Sequence, residues 1–499
     1  MSEPLLSSMK LYYALILVSL TYSARGQEVL RVIKSEPKSF DVIIQNDSAT
    51  EKDVKRVMDR LKKYGSSKIV LNSDLCVVCS APSNERQFES KMERIDAMRG
   101  VSVIGATNDF RYILYDFEAN QLNDQDINQK WAEIKSIYSE KKSHLFKMPP
   151  MKIVDFALHT GFKSNLNFAN DNGSFIIPIS DKFKVVAEKR NVKTENGKII
   201  WNGDLHGENG VAFLTMENGE LRGFINSDSG VFSIIPLSKG FHAVVREQSD
   251  TIPTIEEPPL RKSETQGTFD AHEYERLSPT DSIEVSLLVL YTKAAAALNY
   301  KIEEILIPNA IDVTNTTFAN SGLGNVKFTI AAAFQTDYKE SGRWENHLSK
   351  IMNESDGVLD EVNEIRDRTA ADVVILIVQK GDYCGEVYKV GGSAEDAFMI
   401  VNQSCIKKQY TFTHELGHIF GCAHDRCSDS TPGPYTFSHG FQNANWRCVM
   451  SGIGCCEKKR SFYLSNPDVK VQGMSIGTIE FENAAEVIRL NAKKVQSFR

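Results

Sequence analysis

His414-Glu415-Leu416-Gly417-His418-Ile419-Phe420-Gly421-Cys422-Ala423-His424-Asp425 is the stretch on which the reading of this 499-residue chain turns. In a helix, His414 and His418 lie four residues apart, one turn up the same face, so both imidazoles reach a single metal ion. Gly421 is the residue type that enters the left-handed region at no steric cost, so the chain can leave the helix there and bring His424 back as a third ligand. Three neutral imidazoles leave one position of a tetrahedral zinc open, the arrangement of a catalytic rather than a closed structural site. Glu415, beside the first ligand, is placed to act as general base toward the zinc-bound water. The competing account, a buried helix with scattered histidines, needs a coincidence. With average usage of about 2% His, 6% Glu and 7% Gly, the five fixed positions coincide in a chain of this length with odds on the order of 10⁻⁵.

The pattern resembles the metzincin signature H-E-x-x-H-x-x-G-x-x-H followed by a Met-turn. Cys448-Val449-Met450-Ser451-Gly452 fits the turn, with Met450 expected as an apolar floor beneath the metal. Asp425, directly after the third histidine, resembles the reprolysin (adamalysin) branch, in which that Asp ties the site to the domain below. Ser438-His439-Gly440-Phe441, Trp446-Arg447, Leu464-Ser465-Asn466-Pro467-Asp468-Val469, Gly477-Thr478 and a closing helix to Phe498 are similar to bacterial peptidyl-Asp metallopeptidases. The resemblance covers about the last 220 residues well and the preceding hundred weakly. It implies a peptide-bond hydrolase with one catalytic zinc ion held by His414, His418 and His424, in which Glu415 is base and then acid. The specificity pocket of such enzymes lies just past the Met-turn. Here Glu457-Lys458-Lys459-Arg460 follows, either a cation that favours acidic side chains or, the reading preferred, a solvated basic loop.

Composition bounds the rest. A chain of 499 residues, 41% hydrophobic, holds two or three domains with cores of their own. A formal charge of −7, with no basic stripe, excludes a nucleic-acid partner from consideration. Lys10, the apolar run 11–20, and Ala24 and Gly26 before Gln27 read as a secretory leader over residues 1–26, too short an apolar run to span a bilayer comfortably. Glycosylation sequons at Asn46, Asn172, Asn315, Asn353 and Asn402 suit export. Seven of nine cysteines (Cys384, Cys405, Cys422, Cys427, Cys448, Cys455, Cys456) fall near the metal motif, as disulfides clamping that domain would require. Cys384 with Cys405 is the preferred pair.

In chain order, residues 27–148 alternate strand and helix: strands at 40–44 and 69–78, helices at 51–64 and 84–98, strands at 101–104 and 112–115. A ferredoxin-like prosegment module is expected. Within it, Cys76 and Cys79 are either a thiolate latch over the metal or structural thiols. Their flanks match no cysteine-switch motif, so the structural reading is preferred. Residues 149–246 change to short strands with Gly and Asn turns, a β-rich prosegment expected as an antiparallel sandwich or barrel, with a hairpin at Glu217-Asn218-Gly219-Glu220. Residues 247–280, rich in Pro, Glu, Ser and Thr, read as a linker with activation-cleavage candidates at Arg261-Lys262 and Arg276.

Residues 281–499 form the metal domain. A strand at 285–291, a helix at 293–320, a strand at 326–334, a helix at 344–368 and a strand at 373–378 predict an α/β (α+β) catalytic domain with a twisted mixed sheet. The active-site helix is expected over 407–420 and a substrate-binding edge strand over 397–401. The chain is thus expected to be a secreted zinc metalloendopeptidase acting on proteins or peptides. It is expected to be made as a zymogen with its own prosegment as intramolecular inhibitor, and to have no membrane span once mature. The alternative is a non-enzymatic secreted binding or toxin protein on a protease scaffold, whose usual sign, loss of the Glu or of a ligand, is not present here.

Overall fold

The computed structural model describes separate elements of the first 173 residues, residues 174–247 with short gaps, and residues 275–499 with single-residue gaps and a longer one at 453–458. The leader expected at 1–26, the helix expected at 84–98, and Arg261-Lys262 lie outside the described residues. The chain divides into two units, Met1–Tyr112 with Asp171–Ser174, and Ile113–Asn170 with Phe175–Arg499.

The first unit carries strands Glu28–Arg31, Ser39–Asn46, Ile69–Ser80 and Val101–Ile104 and the helix Glu51–Lys63, whose Val57 and Leu61 are buried at helix spacing. The ferredoxin-like order is not what forms. Ser39–Asn46 and Ile69–Ser80, on either side of the helix, pair directly and antiparallel, whereas a βαβ crossover would leave them parallel. Alternating elements predict which segments form, but not how they pair. Cys76 and Cys79 lie in Ile69–Ser80, but their side chains fall outside the described residues.

The module boundary expected at 148 also moves. Tyr115–Phe117 pairs with Lys152–Asp155 in the sheet of the second unit. The helix Gln125–Tyr138 buries Ile127, Trp131, Ile134 and Tyr138 against that same sheet. Those four repeat at helical spacing, a signal that was present in the sequence.

The β-rich segment is one continuous sheet whose two end strands, Arg111–Ile113 and Tyr115–Phe117, are a single residue apart in the chain, as the barrel of the two expected alternatives requires. Ser174–Ser180, Phe183–Glu195, Lys198–Leu205, Val211–Glu217, Glu220–Ser227, Gly230–Ser238 and Phe241–Arg246 follow as a meander, each hydrogen-bonded to the next. Glu217 pairs with Glu220 across the expected hairpin, with Asn218 at φ 51. One face of the sheet buries Trp201, Leu214, Ile225, Phe232, Ile234 and Val244, and the other is covered by other parts of the same unit. Ile235, Leu237, Phe241, Ala243 and Val245 lie under the helix Gln125–Tyr138, while Ile200, Val211, Phe213 and Phe224 share a core with residues 275–499.

In the metal domain a five-stranded sheet has the order Val326–Thr336, Ile283–Thr292, Val373–Val378, Phe398–Asn402, Gly385–Val387. The first four strands are parallel and the last is antiparallel. The edge beside the site is therefore Gly385–Val387; the strand expected to be exposed at 397–401 is an inner one. Three residues with no alternation gave this edge strand no signal.

Two expected helices are broken. Lys293–Ala296 and Ile307–Asn320 are separate, with Lys301 at φ 49 and Pro308 in the first turn of the second. Trp344–Met352 and Val362–Thr369 are split where Asn353 turns extended, its side chain accepts from the Ser355 N–H, and Gly357 takes φ 77. The linker ends earlier than 280: Leu277 is in the core, and Arg276 pairs with Glu486 at 2.6 and 2.7 Å. Among the described residues no helix is long and apolar enough to cross a membrane.

Two sequons are spent on the fold. Asn402 is fully buried, and its side chain caps Ser404 and donates to the Gln379 carbonyl; Asn315 bonds both backbone groups of Phe328. Asn353 is exposed.

Phe318 sits at the centre of the core, edge-on to Phe328 at 4.8 Å and to Phe420 at 5.8 Å. Phe318→Ala is expected to cost about 3–5 kcal/mol and to lower Tm by roughly 10 °C, read by thermal circular dichroism. A shift below about 2 °C would show that the ring does not hold the site helix to the sheet.

Candidate metal centre

The site helix is Thr411–Phe420, ten residues, all of them buried. It does not continue from 407 as expected. A short helix Ile406–Gln409 comes first, and Tyr410 breaks the run in the left-handed region at φ 55. At the other end Gly421 takes φ 101 as anticipated, and the Cys422 N–H returns to the Gly417 carbonyl. Asn491, from the last helix Ala484–Gln496, donates to the Phe420 carbonyl at 3.0 Å and so satisfies an acceptor that the helix end leaves without an intrahelical partner.

The three histidines predicted from spacing come together. Their Nε2 atoms are 3.1 Å apart for His414 and His418, 3.1 Å for His418 and His424, and 3.3 Å for His414 and His424. The opposite ring nitrogens explain why. His414 Nδ1 donates to the Val449 carbonyl at 2.7 Å, and His418 Nδ1 donates to the Cys422 carbonyl at 2.7 Å. A carbonyl only accepts, so each Nδ1 carries the proton and each Nε2 presents a lone pair. His424 Nδ1 faces Asp429 Oδ2 at 3.4 Å. The hydrogen bond from His424, with others from Thr431, holds the Asp429 carboxyl well below the usual carboxylate range.

Three lone pairs converging at this separation suit a small cation. A zinc with Zn–N near 2.05 Å and tetrahedral angles sets its ligands about 3.3 Å apart. The donor set therefore fits one zinc ion, and the three imidazoles are the residues that would hold it.

Glu415 is fully buried on the same helix. A Cβ added to Gly385 would overlap its Oε1 and the Thr411 methyl, so the carboxylate lies directly against the backbone of the edge strand. Only glycine permits that approach. The disulfide Cys384–Cys405, the pair preferred from sequence, joins the residue before Gly385 to the residue before the short helix at 406. Cys427 is disulfide-bonded as well.

Below the helix, a Cβ on Gly417 would overlap Met450 Sδ, so the thioether packs against the helix between the two histidines, where the Met-turn resemblance put it. Asp425 carries out the anchoring expected of it: it accepts from the N–H groups of Cys427, Ser428 and Gly452, at 3.1, 3.0 and 2.9 Å, and from the Gln442 amide. That joins the loop after the third histidine to the end of the Met-turn. Cys422 and Cys448 are buried free thiols, and burial pushes both up, so they are packing residues and not nucleophiles. The basic loop resolves in part. Arg460 is buried and donates to the Ser451 and Gln409 carbonyls, and Lys459 lies 3.7 Å from Asp228; Glu457 and Lys458 fall outside the described residues. Asp429 and Gly385 were missed from sequence, because their roles depend on folds of the chain that no spacing encodes.

Three imidazoles, two of them on one helix with a buried carboxylate beside them, together with a mixed sheet with an antiparallel edge, are compatible with a metallopeptidase fold. Residues 281–461 match the model of Metallo-peptidase family M12 (Reprolysin_5). The chain is 31% identical over 223 residues to a peptidyl-Asp metalloendopeptidase of Stenotrophomonas maltophilia (strain R551-3), covering 43% of this chain and 52% of the relative. It is 26% identical over 304 residues to a protein of the same name from strain K279a, covering 58% and 71%. The chain thus spans about half the length of the first relative. Among solved structures, metalloproteinase-II from Bacteroides fragilis is 12% identical at a TM-score of 0.32, covering 55% of this chain and 86% of that one, a likeness too slight to carry argument.

Two expected outcomes test the geometry. Asp429→Ala should weaken zinc binding by roughly 10–100-fold in a chelator competition, with the fold retained; unchanged affinity would show that Asp429 does not orient the third imidazole. Gly385→Ala should leave zinc stoichiometry at one but displace Glu415 and lower turnover at least about tenfold. Full turnover in that variant would mean the carboxylate does not work from its place beside the edge strand.

Proposed function

We propose that the chain is a secreted, zinc-dependent metalloendopeptidase that hydrolyses internal peptide bonds in proteins, made as a zymogen and opened by a cut between residues 248 and 274. The observation that carries this is the convergence of His414, His418 and His424 through Nε2, with two of the three Nδ1 atoms committed to backbone carbonyls. Bound zinc supplies Lewis acidity toward water and toward a peptide carbonyl.

The chain's own residues supply the rest. Glu415 takes the proton from the attacking water and returns it to the leaving amine. Burial against Gly385 keeps solvent from competing for its oxygens. Gly385–Val387, at the edge of the sheet, is the strand with which an extended substrate would pair through its main chain, which places the scissile carbonyl over the histidines. Asp425 and Met450 keep the loop and floor from shifting as substrate enters.

The name of the relatives suggests a preference for aspartate beside the cut bond. Arg460, however, is buried in carbonyl contacts, which leaves Lys458 and Lys459 of the basic loop as the candidate cations. Export is supported by the leader-like first 26 residues and by the disulfide Cys384–Cys405. Asn353 is the exposed sequon through which a glycan would be carried in the metal domain.

Glu415→Gln should keep zinc and lose casein hydrolysis by about 10²–10⁴-fold, while a chelator abolishes activity of the parent and zinc restores it. Hydrolysis by the variant at the parent's rate, or by the parent with its metal removed, would refute the assignment.

A further inference from the structure

We propose that the sheet of residues 174–247 is a permanent part of the working molecule and not a cover to be shed. Once the 248–274 segment is cut, it stays bound without a covalent link to residues 275–499, behind the site helix. The inference rests on the activation cut proposed above, but not on the chemistry.

The first observation is a shared core. Phe213 and Phe224, from neighbouring strands of the sheet, have ring centroids 5.8 Å apart. Phe213 meets Phe462 at 5.3 Å, Phe224 meets Tyr410 at 6.2 Å, and Tyr410 meets Phe462 at 4.8 Å. None of the four rings is more than 1% exposed. Without the sheet, Tyr410 and Phe462 would face water beside the start of the site helix.

The second observation is where the buried charges find their partners. Asp312, on the helix Ile307–Asn320, is 3% exposed. It accepts from Arg222 at 2.6 Å, Lys198 at 2.9 Å and Thr215 at 3.1 Å, all three from the sheet, while Arg222 also donates to Asn309. Lys407, 5% exposed, donates to Ser233 Oγ at 2.7 Å and to Glu247, again from the sheet side. Departure would break these direct pairs and leave Asp312 and Lys407 to be satisfied by water alone.

The third is the position of Asn226. Its amide donates to the carbonyls of Lys408 at 2.8 Å and Lys407 at 3.3 Å and to Tyr410 Oη at 3.2 Å. These are the open carbonyls of the short helix that leads into the site, at the point where Tyr410 takes φ 55. A side chain of the sheet thus completes the turn that aims the site helix.

The test uses the full chain carrying Glu415→Gln, which removes self-digestion, with the recognition sequence of a site-specific protease inserted between Thr265 and Gln266. After complete cutting, the two fragments should co-elute in size-exclusion chromatography at about 0.15 M and about 1 M salt, because buried pairs are little screened. Arg222→Ala in the same background should speed fragment dissociation at least about tenfold while each fragment keeps its circular dichroism. Separation of the cut parent at low salt, with the C-terminal fragment still melting cooperatively, overturns the proposal. Separation only in denaturant, followed by aggregation of that fragment on its removal, supports it. No peptide hydrolysis enters the readout: should the cut parent with Glu415 intact prove inactive while the fragments still co-elute, the proteolytic reading falls and this one stands.

Discussion

Everything in the metal domain follows from one constraint: three imidazole lone pairs are held within about 3.3 Å of one another, a separation that repels unless a cation sits among them. The fold keeps them there by fixing the far nitrogens. Val449, Cys422 and Asp429 each receive an Nδ1, and each comes from a different place: the Met-turn, the helix exit and the loop beyond the third histidine. Asp425 then ties two of those places together through Gly452. The site is therefore not ten residues of helix with histidines on it. It is a junction whose geometry fails if any one of three loops drifts.

The junction has a front and a back. In front, Gly385 lets the edge strand lie against Glu415, and the disulfide Cys384–Cys405 fastens that strand to the approach of the site helix. Behind, Asn226, Phe224 and Arg222 of the meander hold the turn at Tyr410 and the helix bearing Asp312. The core that begins under the meander runs unbroken through Phe318 and Phe420 to the last helix. Residues 174–247 and 275–499 are thus separated by a linker in sequence, yet share one interior.

How much of this was legible in the sequence depends on how local the determining contact is. The His414 to His424 spacing, Gly421 and Met450 were readable because helix pitch and one turn fix their relation within a few dozen residues. The strands of the meander were readable because alternating apolar runs separated by Gly and Asn have few other uses. What could not be read was pairing. The strands flanking the helix Glu51–Lys63 lie side by side and antiparallel, and the segment 397–401 is covered by three residues with no periodicity of their own. Tyr410 gave no sign of its left-handed turn, because the groups that enforce it, Asn226 and Phe462 among them, are far away in the chain. Asp429 was invisible for the same reason: a carboxylate five residues past a histidine means nothing until the loop between them closes.

Asn402 has a further implication for how the chain is born. Its side chain is enclosed against the Gln379 carbonyl and Ser404, yet the tripeptide it begins is one that oligosaccharide-transferring machinery accepts. In a cell that appends sugars to nascent polypeptides as they cross into the secretory pathway, that asparagine is within reach before the strand bearing it has docked. A glycan placed there has no room in the finished interior, so such a cell would divert the chain from folding, and a host whose export route lacks that machinery would not.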